Sequence, residues 1–385
     1  MRERPQPLYD AVPYRIDGVE VMPRLSADTT YDSNIFAIPQ ARDDLIVRLR
    51  PRMTASAVLG SLDVTSAVEL DHREYLSHSS QSTTDVVFGL AGRYDISRDT
   101  QLYAGMRNGR RTEDRADPDS PFNLREPAQY DYVSGHLGAA HSFNRMRVAG
   151  HVGIEDRDYR DGRDGRGNPV DQDFRSRALL TSDIAAEYAF SPDTSAFVNL
   201  SLNRRNYAAQ APLEPSRDSK GYRITAGASL EITKLIRGEI GLGYFRQGFE
   251  SPVYDTVKGL AARARLEYFM TPLFTWTLRA NRGVEEASSI GTGAYVATSI
   301  SLQADYELFR NLILSAGANY EHDDFQDIDR RYDIRGATLA ADYKLSPRYA
   351  LGVQYEFRDQ EAAGAFPGRE FARHRLMAGL TVQGM

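Results

Sequence analysis

The 385-residue chain contains no cysteine, a single tryptophan and only four lysines, so 43 of its 47 basic side chains are arginines. Without cysteine, the chain has no disulfides, no cysteine-ligated zinc and no iron–sulfur clusters. No apolar run approaches the roughly 18 residues that a transmembrane helix requires. A formal charge of −6 and the lack of a basic block argue against nucleic-acid binding. We expect no cofactor, no metal site and no nucleic-acid partner.

The first residues, Met1 to Pro7, include no apolar segment of the kind found in secretion signals. Two alternatives follow: a cytosolic protein, or an exported protein whose signal peptide is absent from this chain.

Apolar and polar residues alternate with a period of two along almost the whole chain, which is typical of half-buried β-strands. Between Ala294 and Leu308, for example, Val296 and Ile300 share one face with Leu302. About eighteen such segments occur, and many exceed the usual strand length of about five or six residues. The pattern therefore predicts an all-β protein.

The connections between these segments alternate between short turns, such as Gly60-Ser61 and Asn144, and longer loops rich in Asp, Arg, Pro and Gly. This alternation predicts a transmembrane antiparallel β-barrel of about 18 strands in an outer membrane, with short periplasmic turns and long extracellular loops. We assign residues 1–22 to a periplasmic N-terminal segment and residues 23–385 to the barrel. Soluble sandwiches or a propeller fit less well, because the chain shows no blade-length repeat.

The strand faces opposite the apolar residues are polar and charged, and a barrel of this size has a water-filled lumen. Ten arginines are predicted to line the pore in its loop half and middle: Arg48, Arg50, Arg52, Arg107, Arg177, Arg223, Arg263, Arg265, Arg279 and Arg375. Eight carboxylates nearer the short turns are predicted to form an acidic periplasmic vestibule: Asp95, Asp183, Glu187, Glu231, Glu239, Glu267, Asp305 and Glu307.

Two interpretations of the arginines remain open. The guanidinium group forks onto carboxylate, phosphate or sulfate, and rings of arginine select anions in pores. Alternatively, the arginines and carboxylates form ladders that only brace the wall.

The residue patterns of enzymes are missing. There is no G-x-S-x-G elbow and no H-E-x-x-H pattern, and the Asp/Gly-rich stretch 155–168 lacks EF-hand spacing. We expect the protein not to be an enzyme, although His136 and His151 could both face the lumen on neighbouring strands.

Residues Tyr14–Leu25, which include Val19-Glu20-Val21-Met22-Pro23-Arg24-Leu25, run into Thr30–Phe36, which include Tyr31-Asp32-Ser33-Asn34-Ile35-Phe36. These two stretches resemble the opening of a family of outer-membrane β-barrel porins of Gram-negative bacteria. That family has a "V-x-x-x-P-x-L" strand followed by a "Y-D-S/D-N-I-F" turn, and its members are often associated with exopolysaccharide export. A barrel of eighteen strands with an arginine-rich lumen is also similar in design to the alginate exporter. The resemblance implies an outer-membrane conduit and carries no catalytic residues.

The expected function is secretion of an exopolysaccharide, which we expect to be anionic, through the arginine-rich lumen. The expected partners are outer-membrane lipid, a polysaccharide or other polar anionic solute, and periplasmic export machinery. Two alternatives stay open: a general or small-solute diffusion porin, and a plugged structural or adhesion barrel.

Overall fold

The computed structural model describes residues 6–118, 120–121, 123–210, 215–287, 289 and 291–384, and within them eighteen long strands form one closed antiparallel sheet. We number these strands β1 (Val19–Asp32), β2 (Asp44–Leu59), β3 (Leu62–Tyr75), β4 (Thr83–Asp95), β5 (Thr100–Thr112), β6 (Gln129–Phe143), β7 (Met146–Tyr159), β8 (Arg177–Ser191), β9 (Thr194–Tyr207), β10 (Ser219–Thr233), β11 (Ile236–Phe249), β12 (Val257–Thr271), β13 (Phe274–Glu286), β14 (Ala294–Phe309), β15 (Leu312–Phe325), β16 (Arg331–Lys344), β17 (Tyr349–Ala363) and β18 (Phe371–Gln383).

Each strand pairs with the next one in the sequence, and β18 pairs with β1 to close the barrel. The closing ladder runs from Arg24 opposite Gln383 to Asp32 opposite Arg375. Closure leaves no open sheet edge along this ladder, as a membrane-spanning sheet requires. The predicted eighteen-stranded barrel is confirmed.

Short turns connect the strands at one end of the barrel and longer loops connect them at the other. Gly60 and Asn144, in the turns after β2 and β6, have positive φ angles of 66° and 53°. Glycine and asparagine tolerate this conformation better than other residues, which suits them to tight hairpins. The predicted alternation of turn lengths is therefore confirmed.

The outward face of the strands is apolar. Leu137, Leu242 and Leu380 are all exposed on this face, and Leu242 is 66% exposed. In a bilayer these side chains contact acyl chains, and the alternate residues line the lumen. Among the described residues, no helix is long and apolar enough to cross a membrane.

The barrel begins earlier than the sequence predicted. The first strand starts at Val19, because residues 19–22 pair with residues 54–57 of β2. Upstream of it, Tyr14–Ile16 folds back onto Val19–Val21 through a turn at Asp17-Gly18. Residues 19–22 therefore belong to the barrel and not to a separate N-terminal segment. The sequence did not indicate this, because apolar and polar residues alternate only weakly there.

Candidate functional site: an arginine-lined constriction

The described residues of the loop between β5 and β6 (113–118, 120–121 and 123–128) fold into the lumen, and we call them the inward loop. Its Asp114 carboxylate forms ion pairs with Arg373 at 2.9 Å and with Arg375 at 3.0 Å, and both arginines lie on the inward face of β18. Arg373 and Arg375 also pair with Asp32 of β1, at 2.6 and 3.1 Å. The inward loop is thereby anchored to the wall where the barrel closes.

Loops and strand ends around the rim hold the inward loop from other sides. Arg369 donates to the carbonyl oxygen of Asp117 at 2.7 Å. Arg115 donates to the side-chain oxygen of Gln81 at 2.8 Å. Arg175 pairs with Glu113 at 2.9 Å and stacks on the Tyr159 ring, 4.2 Å from its centroid. Because these contacts come from loops on both sides of β5 and β6, they hold the inward loop inside the lumen.

The extracellular end of β13, residues 283–287, also lies inside the barrel, and we call it the tucked segment. Within the described residues, the β12–β13 ladder stops at Ala262 opposite Arg282, although both strands continue. Strand alternation would place Val284 on the outside, yet it is 7% exposed and packs with the inward-facing Phe245 and Val257. The end of β13 has therefore separated from β12 and packs against the inner face of the wall, while residues 283–286 stay paired with residues 294–297 of β14.

Ion pairs and a backbone hydrogen bond fix the tucked segment. The Glu286 carboxylate pairs with Arg177 of β8 and with Arg205 of β9, the latter at 2.7 Å. Arg217 donates to the carbonyl oxygen of Ala287 at 2.8 Å. This second inward element narrows the lumen on the side opposite β18.

Two cavities flank the inward loop. The first has a volume of about 300 Å³, and its charged lining comprises Arg48, Arg50, Arg73, Arg115, Arg373, Arg375, Glu113, Asp114 and Glu356. The second has a volume of about 410 Å³, and its charged lining comprises Arg157, Arg175, Arg177, Arg205, Glu113, Asp117, Glu285 and Glu286. The first cavity has an excess of arginine, whereas in the second the two signs balance.

The arginines of the first cavity are held by carboxylates that lie behind them. Arg48 donates twice to Asp71, at 2.6 and 2.5 Å, and Arg50 pairs with Asp28 at 2.7 Å. The arginine side chains are 28% and 35% exposed, whereas those of Asp71 and Asp28 are only 4% and 3% exposed. A solute in the cavity therefore contacts the guanidinium groups, while the carboxylates that balance their charge lie buried behind them.

The two carboxylates of the inward loop have opposite pKa shifts. Burial alone would raise the pKa of Asp114, but Arg373 and Arg375 outweigh it and hold that pKa well below its ordinary value. Burial raises the pKa of Asp117 to about 6, and the negative charges of Asp114 and Glu113 add to the effect. Asp117 therefore changes its charge near neutral pH, while Asp114 remains ionised.

We expect anion preference to increase as the pH falls from about 7 to about 5. Over that range Asp117 passes from mostly ionised to mostly protonated, because its pKa is raised to about 6. Protonation removes a negative charge from the lumen and leaves the arginines unchanged. Reversal potentials measured in planar bilayers at both pH values check this. Asp117→Asn should reduce the pH dependence, and an unaltered pH profile in that variant would contradict the assignment.

The ten predicted pore-lining arginines lie on inward strand faces, but the structure does not bring them all together. Arg48, Arg50 and Arg375 line the first cavity, and Arg177 lines the second. Arg52 lies 3.8 Å from Glu69, Arg263 pairs with Glu239, and Arg265 pairs with Glu267 at 2.7 Å. Among the described residues, Arg107, Arg223 and Arg279 form no ion pair; Arg223 packs against Gly283 of the tucked segment.

The predicted vestibule carboxylates separate into two groups. Glu187, Glu231, Glu239 and Glu267 line one recess of about 500 Å³ at the short-turn end, together with Asp193, Arg237 and Arg265. The other four lie apart on the wall. Asp95 is 3.5 Å from Arg93, Asp183 pairs with His151 at 3.1 Å, Asp305 accepts a hydrogen bond from Ser315 at 2.5 Å, and Glu307 is buried.

The sequence analysis missed the groups that fix the constriction. Asp114, Arg115, Arg175 and Arg369 lie in loops, and the sequence alone gives no reason to point them inward. The only available signal was the length and charge of the loop at 113–128, since long loops in compact domains are often functional. Separately, Asp161, Asp171 and Asp173 bring their carboxylates within 4.8 Å of one another in an exposed loop.

A closed barrel with an apolar outer face and a charged, constricted lumen defines an outer-membrane β-barrel channel. The family model described as "Putative beta-barrel porin 2" matches residues 6–384, so the chain belongs to this porin family. The family resemblance read from the sequence is confirmed. No match was found among the curated proteins.

Solved structures with similar folds come from several outer-membrane barrels. OpdK of Pseudomonas aeruginosa, solved with vanillate, is 11% identical with a TM-score of 0.52, over 94% of this chain and 98% of that chain. OccK2 (OpdF) of the same species is 13% identical with a TM-score of 0.52, over 94% and 98%. The siderophore receptor PirA of Acinetobacter baumannii is 6% identical with a TM-score of 0.53, over 94% and 80%. At these identities the likeness shows the fold.

Proposed function

We propose that the protein is an anion-selective outer-membrane channel for organic solutes that carry carboxylate, sulfate or phosphate groups. The observation that carries this proposal is the exposed arginine surface of the first cavity with its carboxylates buried behind it. The same ion pairs brace the wall and present positive charge to the lumen, so bracing and anion attraction are compatible. Guanidinium groups suit these anions because they bind planar oxyanions in a forked geometry.

The size of the constriction favours solutes of modest size. Cavities of about 300 and 410 Å³ lie at the lower end of the range of small-molecule sites. Vanillate, present in the OpdK structure, is a small aromatic carboxylate and suits such a cavity as a test solute.

A second candidate is passage of an anionic exopolysaccharide. A third cavity of about 290 Å³ is lined by Arg24, Arg50 and Arg52, and Arg50 also lines the first cavity. Alternate residues of a strand are about 6.8 Å apart, so Arg48, Arg50 and Arg52 form a row of positive charges along β2. Such a row suits a polymer with regularly spaced charges, supplied by export machinery at the periplasmic end.

The test uses purified protein in planar bilayers and in liposomes. In a potassium chloride gradient we expect conductance with anions preferred over potassium. Liposomes should take up galacturonate and vanillate faster than uncharged galactose. A preference for cations would contradict the proposal, and an absence of conductance would support the plugged structural barrel instead.

The length of the anions that pass through the channel distinguishes the two candidate functions. Oligogalacturonates of increasing length should be excluded beyond the first few units if the channel serves small solutes. Passage of long oligomers, together with loss of surface polymer on deletion of the gene, would support polysaccharide export.

A further inference from the structure

Four basic residues form a group on the outer surface of the barrel, at the loop ends of β9 to β12. Arg204, Lys220, Arg246 and Lys258 are all exposed, and each lies on the apolar, outward face of its strand. We call them the basic rim group. It contains two of the four lysines of the chain and is separate from the lumen.

The register places like charges directly opposite each other within this group. Arg204 of β9 is opposite Lys220 of β10, and Arg246 of β11 is opposite Lys258 of β12. Directly opposed side chains have their Cβ atoms about 5 Å apart, and like charges in such pairs are destabilising. Gly248, which is opposite Lys220 on the other side, adds no side chain to cover the space between the two pairs.

Among the described residues, none of the four forms an ion pair. Asn206 accepts a hydrogen bond from the Arg204 side chain at 3.1 Å. Elsewhere on the outer rim, charges of opposite sign are matched: Asp131 pairs with Arg110 and Arg160, and Arg335 pairs with Glu361. The basic rim group is thus a sector of positive charge without carboxylate partners among the described residues.

The neighbouring side chains show the depth of the basic rim group in the membrane. One strand step toward the middle of the barrel lie the outward rings of Tyr222 and Tyr244, with centroids 6.4 Å apart. Below them lie the exposed side chains of Ile224 and Leu242. Amphipathic rings occupy the headgroup boundary and aliphatic side chains the hydrocarbon core. The basic rim group therefore lies at the level of the lipid headgroups of the outer leaflet.

We propose that the basic rim group binds the phosphate groups of an anionic lipid of the outer leaflet. A phosphate between the opposed pairs would offset their mutual repulsion, and the acyl chains would lie against Ile224, Leu242 and Leu260. Lysine and arginine near a membrane surface each contribute attraction for anionic headgroups. This site lies outside the lumen and does not depend on the proposed function.

The experiment measures retention of purified lipid A, a phosphorylated glycolipid, by the full chain in dodecyl maltoside micelles. The test variant combines Lys220→Gln, Arg246→Gln and Lys258→Gln. The control combines Arg98→Gln, Lys234→Gln and Arg310→Gln, which removes the same charge from the exposed short turns at the opposite end. The additional probes are lipid A without its phosphates, and inorganic phosphate alone.

We expect the test variant to bind lipid A at least tenfold more weakly than the wild type, and the control variant to be unchanged. Dephosphorylated lipid A should bind all three proteins equally weakly. Without lipid, the test variant should unfold at a temperature no lower than the wild type, because it loses like-charge repulsion. Lipid A should then raise the unfolding temperature of the wild type more than that of the variant.

Equal retention of lipid A by the wild type and the test variant would overturn the proposal. Binding of inorganic phosphate as tight as that of lipid A would also overturn it, since the site would then not be specific for a lipid. Ion selectivity should be the same in the wild type and the test variant, so this result is distinguishable from a failure of the channel proposal.

Discussion

Replacing Arg48, Arg50 and Arg52 together with alanine is expected to abolish the anion preference of the channel and to shift it toward cations. These side chains form ion pairs with Asp71, Asp28 and Glu69. Their removal deletes three positive charges and also leaves Asp28 and Glu69 without these ion pairs, while Asp71 keeps its pair with Arg73 at 2.9 Å. Because the two changes act in the same direction, the shift in reversal potential should be larger than the shift caused by replacing any other three arginines of the barrel wall. The reversal potential in a potassium chloride gradient measures it.

The control variant loses the same net charge, but from residues that lie outside the lumen. Arg98, Arg310 and Arg348 are exposed in the short turns, and replacing them with alanine also removes three positive charges. This control should retain the wild-type reversal potential. If the Arg48/Arg50/Arg52 variant retains it too, with unchanged conductance, the arginines only brace the wall.

The barrel itself could be predicted from the sequence because its causes are local. Alternation in segments such as 298–308 reflects lipid on one face and water on the other, and glycine or asparagine in the turns at Gly60 and Asn144 reflects positive φ angles. The strand count, the turn pattern and the inward direction of the arginines follow from these features. Strand ends were less certain, as Val19 shows, because pairing with β2 and not alternation extends β1.

The constriction could not be predicted because it depends on contacts between distant parts of the chain. Arg369 and Arg373 contact residues of the inward loop that lie about 250 positions earlier in the sequence. A loop that folds into the lumen has the same composition as one that extends into solvent. Its direction depends on which ion pairs the closed barrel makes available, and alternation does not encode that information.

The tucked segment is the clearest case of tertiary contacts overriding a local pattern. Val284 and Glu286 alternate with Glu285 as an outward and inward face would, and the ladder with β12 could have continued past Arg282. Instead the strand end packs against Phe245, and Glu286 reaches Arg177 and Arg205. The ion pairs and the apolar contact are available only inside the lumen, and together they outweigh further ladder hydrogen bonds.

Substituting Glu286 with alanine is therefore expected to cause a large loss of stability together with an increase in conductance. The side chains of Arg177 and Arg205 are only 8% and 11% exposed, and Glu286 is their shared carboxylate. Removing one partner of a buried ion pair costs about 3 to 5 kcal/mol, because the remaining charge is left uncompensated. Urea unfolding in lipid vesicles, followed by tryptophan fluorescence of Trp276, measures the loss.

Glu69→Ala is the matched control for this variant. Glu69 is also a lumen glutamate facing an arginine, but its pair with Arg52 is 3.8 Å long and the two side chains are 33% and 52% exposed. Such a pair contributes about 0 to 1 kcal/mol, so its loss should hardly change the unfolding midpoint. Equal losses in the two variants would show that Glu286 is not the group that fixes the tucked segment.

The conductance of the Glu286→Ala variant distinguishes a constriction from a brace. Glu286 and Ala287 line the second cavity, so a tucked segment that is no longer held by Arg177 and Arg205 would leave a wider passage there. We expect a higher single-channel conductance in the folded fraction of the variant. An unchanged conductance alongside the loss of stability would mean that the segment remains inside, held by Val284 and its apolar neighbours, and that the ion pairs serve stability alone.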